Sequence, residues 1–144
     1  MKNVYPVFFT STDSNVLVEV PDFDILTEGK DLNDAIKMAR DAIELTCVSL
    51  EDAKAKIPSP SSICSLDVKN GAFVTEGDTF VSLVDIDSTT YRRKIDTKAV
   101  RRNVTLPSWL NYEAEQAGIN VSRVLQDALM NVLNVKDTIG EKNE

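Results

Sequence analysis

Residues 100–107, with the sequence VRRNVTLP, constrain the fold of this chain more than any other segment. Apolar and polar residues alternate along it, so Val104 and Leu106 fall on one face of an extended strand. The other face carries the polar side chains of Arg101, Asn103 and Thr105. Pro107 cannot continue a β ladder but suits the first turn of a helix. Because a single strand cannot bury its apolar face alone, we expect it to pair with the same strand of a second chain.

Two helices are predicted after this strand. The first covers Ser108 to Ala117 and ends at Gly118, and Asn120 is expected to cap the second. Apolar residues recur in the second helix at spacings of three and four, and they form a face too broad for this short hairpin to cover. We therefore expect an interlocked homodimer. Its predicted core consists of Val104, Leu106, Val124, Leu125, Ala128, Leu129 and Val132.

The N-terminal half has a different pattern, which predicts an α+β domain with the order β-β-β-α-β. Strands are predicted at residues 5–10, 16–20, 25–27 and 79–86. Between the third and fourth strands the period changes to about 3.6, and a helix is predicted from Leu32 to about Ala53 with Asp31 as its N-cap. We expect its polar face to be a solvated surface. That face carries Asp34, Lys37, Arg40, Asp41, Glu44 and Glu51.

These elements divide the chain into two domains. We predict a sheet domain at residues 1–87, a linker at 88–99, a strand-helix-helix domain at 100–136 and a frayed tail at 137–144. Residues 88–99 are assigned to a linker because they are polar and lack clear apolar periodicity.

Charge is distributed unevenly between the two halves. Residues 1–90 contain 7 Lys or Arg and 16 Asp or Glu, a net charge of −9, whereas residues 91–144 contain 9 and 7, a net charge of +2. Between residues 92 and 102, six basic residues against Asp96 alone give +5. A basic run of this kind is typical of phosphate contacts, whereas the acidic half would repel nucleic acid and suits a basic protein partner.

Composition argues against several functional classes. No apolar run approaches the roughly 20 residues that span a bilayer, and residues 1–4 do not begin a signal peptide, so we expect a soluble, cytoplasmic protein without a membrane partner. Cys47 and Cys64 are isolated and the chain has no histidine, so we predict no metal site and no cofactor. Spacing does not gather Asp22, Asp24 and Asp85 into a catalytic group, and we predict that the chain is not an enzyme.

The C-terminal motif, RRNVTLP followed by a helix, GINVSRVL and an apolar second helix, resembles the ribbon-helix-helix DNA-binding domain. The first half resembles the HicB-type antitoxin fold, a reduced RNase H-like domain. The supporting segments are YPV at residues 5–7, PDF at 21–23, TEG at 27–29, the helix at 32–44 and PSPSS at 58–62. The chain departs from that pattern at Asp24-Ile25, where a Pro-Gly pair is common. In RNase H enzymes the first strand supplies a metal-binding carboxylate, but here no acidic residue precedes Asp13.

The resemblance implies an antitoxin that binds a HicA-type, mRNA-cleaving toxin and represses its own operon, in the cytoplasm of a bacterium or archaeon. Two antiparallel strands would enter the major groove of double-stranded operator DNA, with Arg101, Asn103 and Thr105 facing base edges. The implied phosphate contacts are Lys98, Arg102, Asn120, Ser122 and Arg123. Assembly of dimers into a tetramer is left open. The alternative is a ribbon-helix-helix regulator whose N-terminal domain senses a small ligand.

Overall fold

A computed structural model describes residues 1–135 of the 144-residue chain. The predicted tail at 137–144, and residue 136 of the predicted C-terminal domain, lie outside these residues. The chain divides into two compact units, Met1–Lys98 and Ala99–Glu144. The predicted mixed α+β class is confirmed. Within residues 1–135, no helix has the length and apolar character needed to cross a membrane.

The first unit contains a four-stranded antiparallel sheet. Its strands are β1 (Lys2–Ser11), β2 (Val16–Val20), β3 (Ile25–Gly29) and β4 (Asp78–Asp87). They are arranged in the order β3-β2-β1-β4, which places β1 in the interior and β4 at an edge. Each strand lies where the alternation of apolar residues predicted one.

Helix α1 (Leu32–Asp52) packs on one face of this sheet and closes the core. The Asp31 side chain caps its first turn by accepting a hydrogen bond from the Asp34 N–H at 2.8 Å, as predicted. The apolar stripe of the helix meets alternate residues of the strands. The fully buried members of this core are Tyr5, Val7, Phe9, Val18, Val20, Ala35, Ala39, Ile43 and Cys47. Burial of each large apolar side chain among them contributes about 1.5–3 kcal/mol.

The prediction of a linker at residues 88–99 is wrong for its first eight residues, which form helix α2 (Ser88–Ile95) in the first unit. The Asp87 side chain caps the helix by accepting hydrogen bonds from the N–H and the hydroxyl of Thr90, at 3.1 and 2.8 Å. Arg92 joins α2 to α1 through Glu51 at 2.9 Å and Asp52 at 2.7 Å. These contacts are polar, so α2 does not need an apolar stripe. The sequence therefore lacks the apolar periodicity by which a helix is recognised.

The contact between α1 and α2 is expected to weaken in acid. The hydrogen bond from Arg92 lowers the pKa of Glu51, and the Ser88 hydroxyl lowers it further. The ionised carboxylate therefore stabilises the folded chain above the ordinary glutamate pKa of 4.5, and this stabilisation is lost as the pH falls through the lowered pKa. We expect Glu51→Gln to reduce the free energy of unfolding by less than about 1 kcal/mol at neutral pH, because the pair is near the surface.

Urea unfolding of wild type and Glu51→Gln over a series of pH values from neutral into acid measures this effect. The difference between the two proteins should shrink as the pH falls and disappear once it is below the lowered pKa of Glu51, where the wild-type carboxyl is protonated. Glu76→Gln is the control, since Glu76 is an exposed glutamate whose side chain has no partner within residues 1–135. A difference for Glu51→Gln that stays constant with pH would contradict the explanation.

The second unit contains helices α3 (Ser108–Gln116) and α4 (Val121–Val132). Both were predicted, as were the turn at Gly118, which has a positive φ of 67°, and the cap at Asn120. Residues 96–107, before α3, have no regular secondary structure. Within the described residues neither helix contains a buried side chain, so the apolar residues of α4 remain accessible in a single chain.

Candidate functional site

The segment predicted to be a DNA-reading strand is exposed in the single chain. Residues 101–105 are exposed, including Val104 at 51% of its full accessibility, and Leu106 is half-buried. No β ladder includes these residues within residues 1–135. The segment therefore forms no strand in a single chain, and its predicted pairing with a second chain stays a prediction. The physical reason is that a strand needs a hydrogen-bonded neighbour, and none of the strands of the sheet pairs with this segment.

The apolar residues assigned to a dimer core form an uncovered face on α4. The exposed fractions are 55% for Val124, 36% for Leu125, 52% for Leu129 and 78% for Val132, and Ala128 is also exposed. A groove of about 340 Å³ lies beside the start of this helix, and its lining residues are Val104, Leu106, Ser108, Asn111 and Val121. The groove brings the two apolar residues of the candidate strand next to the first residue of α4.

The residues assigned to phosphate contacts lie in two places. Lys98 and Arg102 are in the irregular segment before α3, and the other three residues are at the start of α4. The Asn120 side chain accepts a hydrogen bond from the Arg123 N–H at 3.1 Å, and the Arg123 guanidinium lies 3.4 Å from the Asp127 carboxylate. Asn120 therefore acts as a helix cap. Ser122 follows it in the first turn, where unbonded N–H groups and the helix dipole favour an anion.

The charge separation is less sharp between the structural units than between the halves of the sequence. The unit Met1–Lys98 has 11 Lys or Arg and 17 Asp or Glu, a net charge of −6, while Ala99–Glu144 has 5 and 6, a net charge of −1. Four of the basic residues expected near DNA belong to the first unit, and Arg92 is neutralised there by α1. Positive charge is thus concentrated in residues 92–102 and does not characterise the whole second unit. The sheet unit, in contrast, is acidic whichever boundary is used.

The scattered acidic residues have structural roles. Asp22 accepts hydrogen bonds from the backbone and hydroxyl of Ser61, and Asp85 is paired with Arg40 at 2.8 Å. Asp24 adopts the left-handed conformation, with φ of 53°, directly after the turn Pro21–Phe23. Among residues 1–135, no three His, Cys, Asp or Glu side chains are close enough together to bind a metal ion. Cys47 is buried in the core, which raises the pKa of its thiol, and Cys64 is exposed.

Three residues predicted to form a solvated face of α1 instead make specific contacts. Arg40 and Glu44 bind the backbone of β4, and Glu51 binds α2. Their spacing of four and seven residues places them along one border of the buried stripe of α1. That spacing was visible in the sequence, but the neighbouring strand and helix that they contact were not.

Comparison with known proteins identifies the chain. A family model described as a HicB-like antitoxin of bacterial toxin-antitoxin systems matches residues 5–128. This match defines the class of the protein as an antitoxin of a toxin-antitoxin system. The chain belongs to the HicB-like antitoxin family. No match was found among curated proteins.

Solved structures of similar proteins include complexes and a free antitoxin. A chain of a toxin-antitoxin complex from Streptococcus pneumoniae is 26% identical, with a TM-score of 0.59, over 91% of this chain and 99% of that chain. A chain of the HicA3 and HicB3 toxin-antitoxin complex is 23% identical, with a TM-score of 0.48, over 59% and 99%. The antitoxin HicB of Burkholderia pseudomallei is 23% identical, with a TM-score of 0.47, over 91% and 96%.

Proposed function

We propose that the chain binds and neutralises a HicA-type toxin through its sheet unit and represses its own operon through its C-terminal unit. The observation that carries the proposal is the family match, which extends across both units from residue 5 to residue 128. The similarity to a chain of a toxin-antitoxin complex from Streptococcus pneumoniae supports the first part. Family membership also favours a toxin over a small ligand as the partner of the sheet unit.

Electrostatics supports a basic protein as the partner of the sheet unit. The unit has a net charge of −6, and its carboxylates are distributed over the hairpin, α1 and β4. Such a surface attracts a small basic ribonuclease and repels the phosphates of its RNA substrate. Binding of the antitoxin would therefore both block the toxin sterically and disfavour RNA near the complex.

The C-terminal unit would bind DNA as a homodimer. Two copies of residues 101–106 would pair in an antiparallel ribbon, giving each exposed segment the partner that it lacks in a single chain. Val104 and Leu106 would then cover the apolar face of α4 from the second chain. That pairing would bury the predicted dimer core, and the absence of buried side chains in α3 and α4 of a single chain supports it.

In the proposed ribbon, the polar side chains divide into two roles. Arg101, Asn103 and Thr105 of each chain would face base edges in the major groove and choose the operator. Phosphate contacts would come from Lys98 and Arg102 before α3 and from the residues at the start of α4. These second contacts would fix the position of the dimer on DNA without selecting a sequence.

Co-expression with the product of an adjacent gene tests the proposal. We expect a basic neighbour of well under about 100 residues that contains a histidine, because an mRNA-cleaving toxin must bind RNA and perform acid-base chemistry. Its toxicity should disappear on co-expression with this chain, and the two proteins should co-purify. Mobility shifts with the DNA upstream of the gene pair should show binding by the antitoxin dimer. Absence of such a neighbour and of any complex would contradict the proposal and favour the ligand sensor.

A further inference from the structure

The outer edge of β4 is an incomplete part of the sheet. On its inner side, β4 pairs with β1 over ten residues in an unbroken antiparallel register, from Lys2 opposite Asp87 to Ser11 opposite Asp78. On its outer side, the described residues supply no further strand. A long edge strand without a bulge or proline is a site to which another strand can add.

Helix α1 occupies one end of this edge. The Arg40 side chain donates a hydrogen bond to the Asp85 carbonyl at 3.1 Å, and the Asp87 N–H donates to the buried Glu44 carboxylate at 2.9 Å. Both backbone groups therefore point away from β1. These two side chains satisfy the outward carbonyl of Asp85 and the outward N–H of Asp87, and they occupy the space that a pairing strand would need there.

The other end of the edge is open. Along an antiparallel strand, the backbone N–H and carbonyl groups of successive residues point alternately to one side and the other. Those of Thr79, Val81 and Leu83 therefore point away from β1, as those of Asp85 and Asp87 do. No hydrogen bond within residues 1–135 covers the outward N–H and carbonyl groups of these three residues, which we call the open edge. The exposed apolar side chains of Phe80, at 41%, and Leu83, at 52%, lie along it.

Acidic residues surround the same end of β4. Asp78 is exposed at its first residue, Glu76 is exposed two residues earlier, and Asp13 is exposed in the hairpin turn after Ser11, the residue opposite Asp78. An open edge flanked by carboxylates and apolar side chains fits an extended segment that carries basic and apolar residues. A second copy of this unit is a poorer fit, since it would add another net charge of −6.

We propose that the open edge is the docking site for the toxin, which adds an extended basic segment to β4 as a fifth strand of the sheet. This inference rests on the proposed function and specifies the surface that performs it. The opposite edge strand, β3, is less suitable because it has only five residues, and its Glu28 carboxylate is engaged by Asn15 at 2.7 Å. Backbone hydrogen bonds would supply affinity, and Leu83 and Phe80 would supply apolar contact.

Substitution of Val81 by proline tests the inference directly. Val81→Pro removes an outward N–H from the open edge and leaves the hydrogen bonds between β4 and β1 intact, so the sheet should fold. We expect it to weaken binding of a catalytically inactive toxin from the adjacent gene at least tenfold by titration calorimetry. Val81→Ala, which keeps the N–H, should bind within about threefold of wild type.

A second pair of variants keeps the test valid if Val81→Pro does not fold. Leu83→Lys places a positive charge beside the open edge and should also weaken toxin binding at least tenfold. Leu26→Lys is the matched control, because Leu26 is similarly exposed, at 58%, on the opposite edge strand. It should bind toxin like wild type, and both lysine variants should keep the wild-type thermal unfolding midpoint.

Three results would overturn the inference. The first is that Leu83→Lys and Val81→Pro both bind toxin with wild-type affinity. If Val81→Pro is unfolded, wild-type affinity of Leu83→Lys alone is sufficient. The second is that Leu26→Lys weakens toxin binding as much as Leu83→Lys does. The third is that Val81→Pro changes the mass in solution of the antitoxin without toxin, which would assign the open edge to a second copy of the chain. Failure of the wild-type chain to bind the toxin at all would instead overturn the proposed function.

Discussion

Asn103→Ala is expected to weaken operator binding strongly and to leave toxin neutralisation unchanged. An asparagine side chain offers a donor and an acceptor to adenine, and such a bidentate contact contributes about 1–3 kcal/mol of discrimination. A symmetric dimer makes the contact twice, so the substitution should cost about 2–6 kcal/mol, or roughly 30-fold to 10⁴-fold in affinity. Arg101→Ala should have an effect of the same size if it contacts guanine. Fluorescence anisotropy with operator DNA at one fixed salt concentration measures both.

Arg102→Ala is the matched control for this experiment. Arg102 is assigned to a phosphate contact, so its loss should weaken binding to operator and unrelated DNA alike and reduce the dependence of affinity on salt. Asn103→Ala should instead weaken binding to the operator only. Release of the toxin by either Asn103→Ala or Arg101→Ala would contradict the division of labour between the two units.

Gly29→Ala is expected to destabilise the sheet unit by about 3 kcal/mol, a large part of the stability of a domain of this size. Gly29 is buried at the end of β3, where the chain turns towards α1. A Cβ atom at this position would lie 2.3 Å from the backbone nitrogen of Ala35 and 2.5 Å from its Cα. Because both neighbours are backbone atoms of α1, only displacement of the helix from the sheet could relieve the clash. A urea unfolding curve of the variant measures the loss.

Gly71→Ala provides the comparison within the same unit. The nearest atoms to a Cβ at Gly71 are the Val68 carbonyl oxygen at 3.1 Å and a Phe8 ring carbon at 3.3 Å. Its φ of −64° is accessible to alanine, so we expect a change of less than about 1 kcal/mol. If Gly29→Ala were no more destabilising than Gly71→Ala, the close approach of β3 to α1 could not be the reason for glycine at residue 29.

The elements that bury apolar side chains were predictable from the sequence. The alternation in β1, β2 and β4 and the stripe of α1 gave their positions to within a few residues, because each pattern follows from one buried face. Helix α2 was missed because Arg92, Ser88 and Asp87 hold it through polar contacts. The Asp87 cap is local to the helix, but the contacts of Ser88 and Arg92 depend on residues about 40 positions away in the chain, which no local pattern encodes.

The candidate strand shows a different limit of sequence analysis. Its alternation identifies two faces, but a strand forms only with a hydrogen-bonded neighbour, which a single copy of the chain does not provide. The polar side chains of α1 show a third limit. Arg40 and Glu44 have the composition of a solvent-facing helix surface, and only the position of β4 reveals that they protect a sheet edge.

Docking of α2 on α1 shortens the tether between the sheet and the candidate ribbon. A linker of residues 88–99, at 3.3–3.6 Å per extended residue, could reach about 40 Å. With residues 88–95 folded into α2, only residues 96–100 remain before Arg101, and their reach is about 17 Å. The folding of α2 against α1, to which the acid-sensitive contact of Arg92 with Glu51 contributes, thus sets the length of this tether. Unfolding of α2 would free eight more residues and more than double the distance that the tether can span.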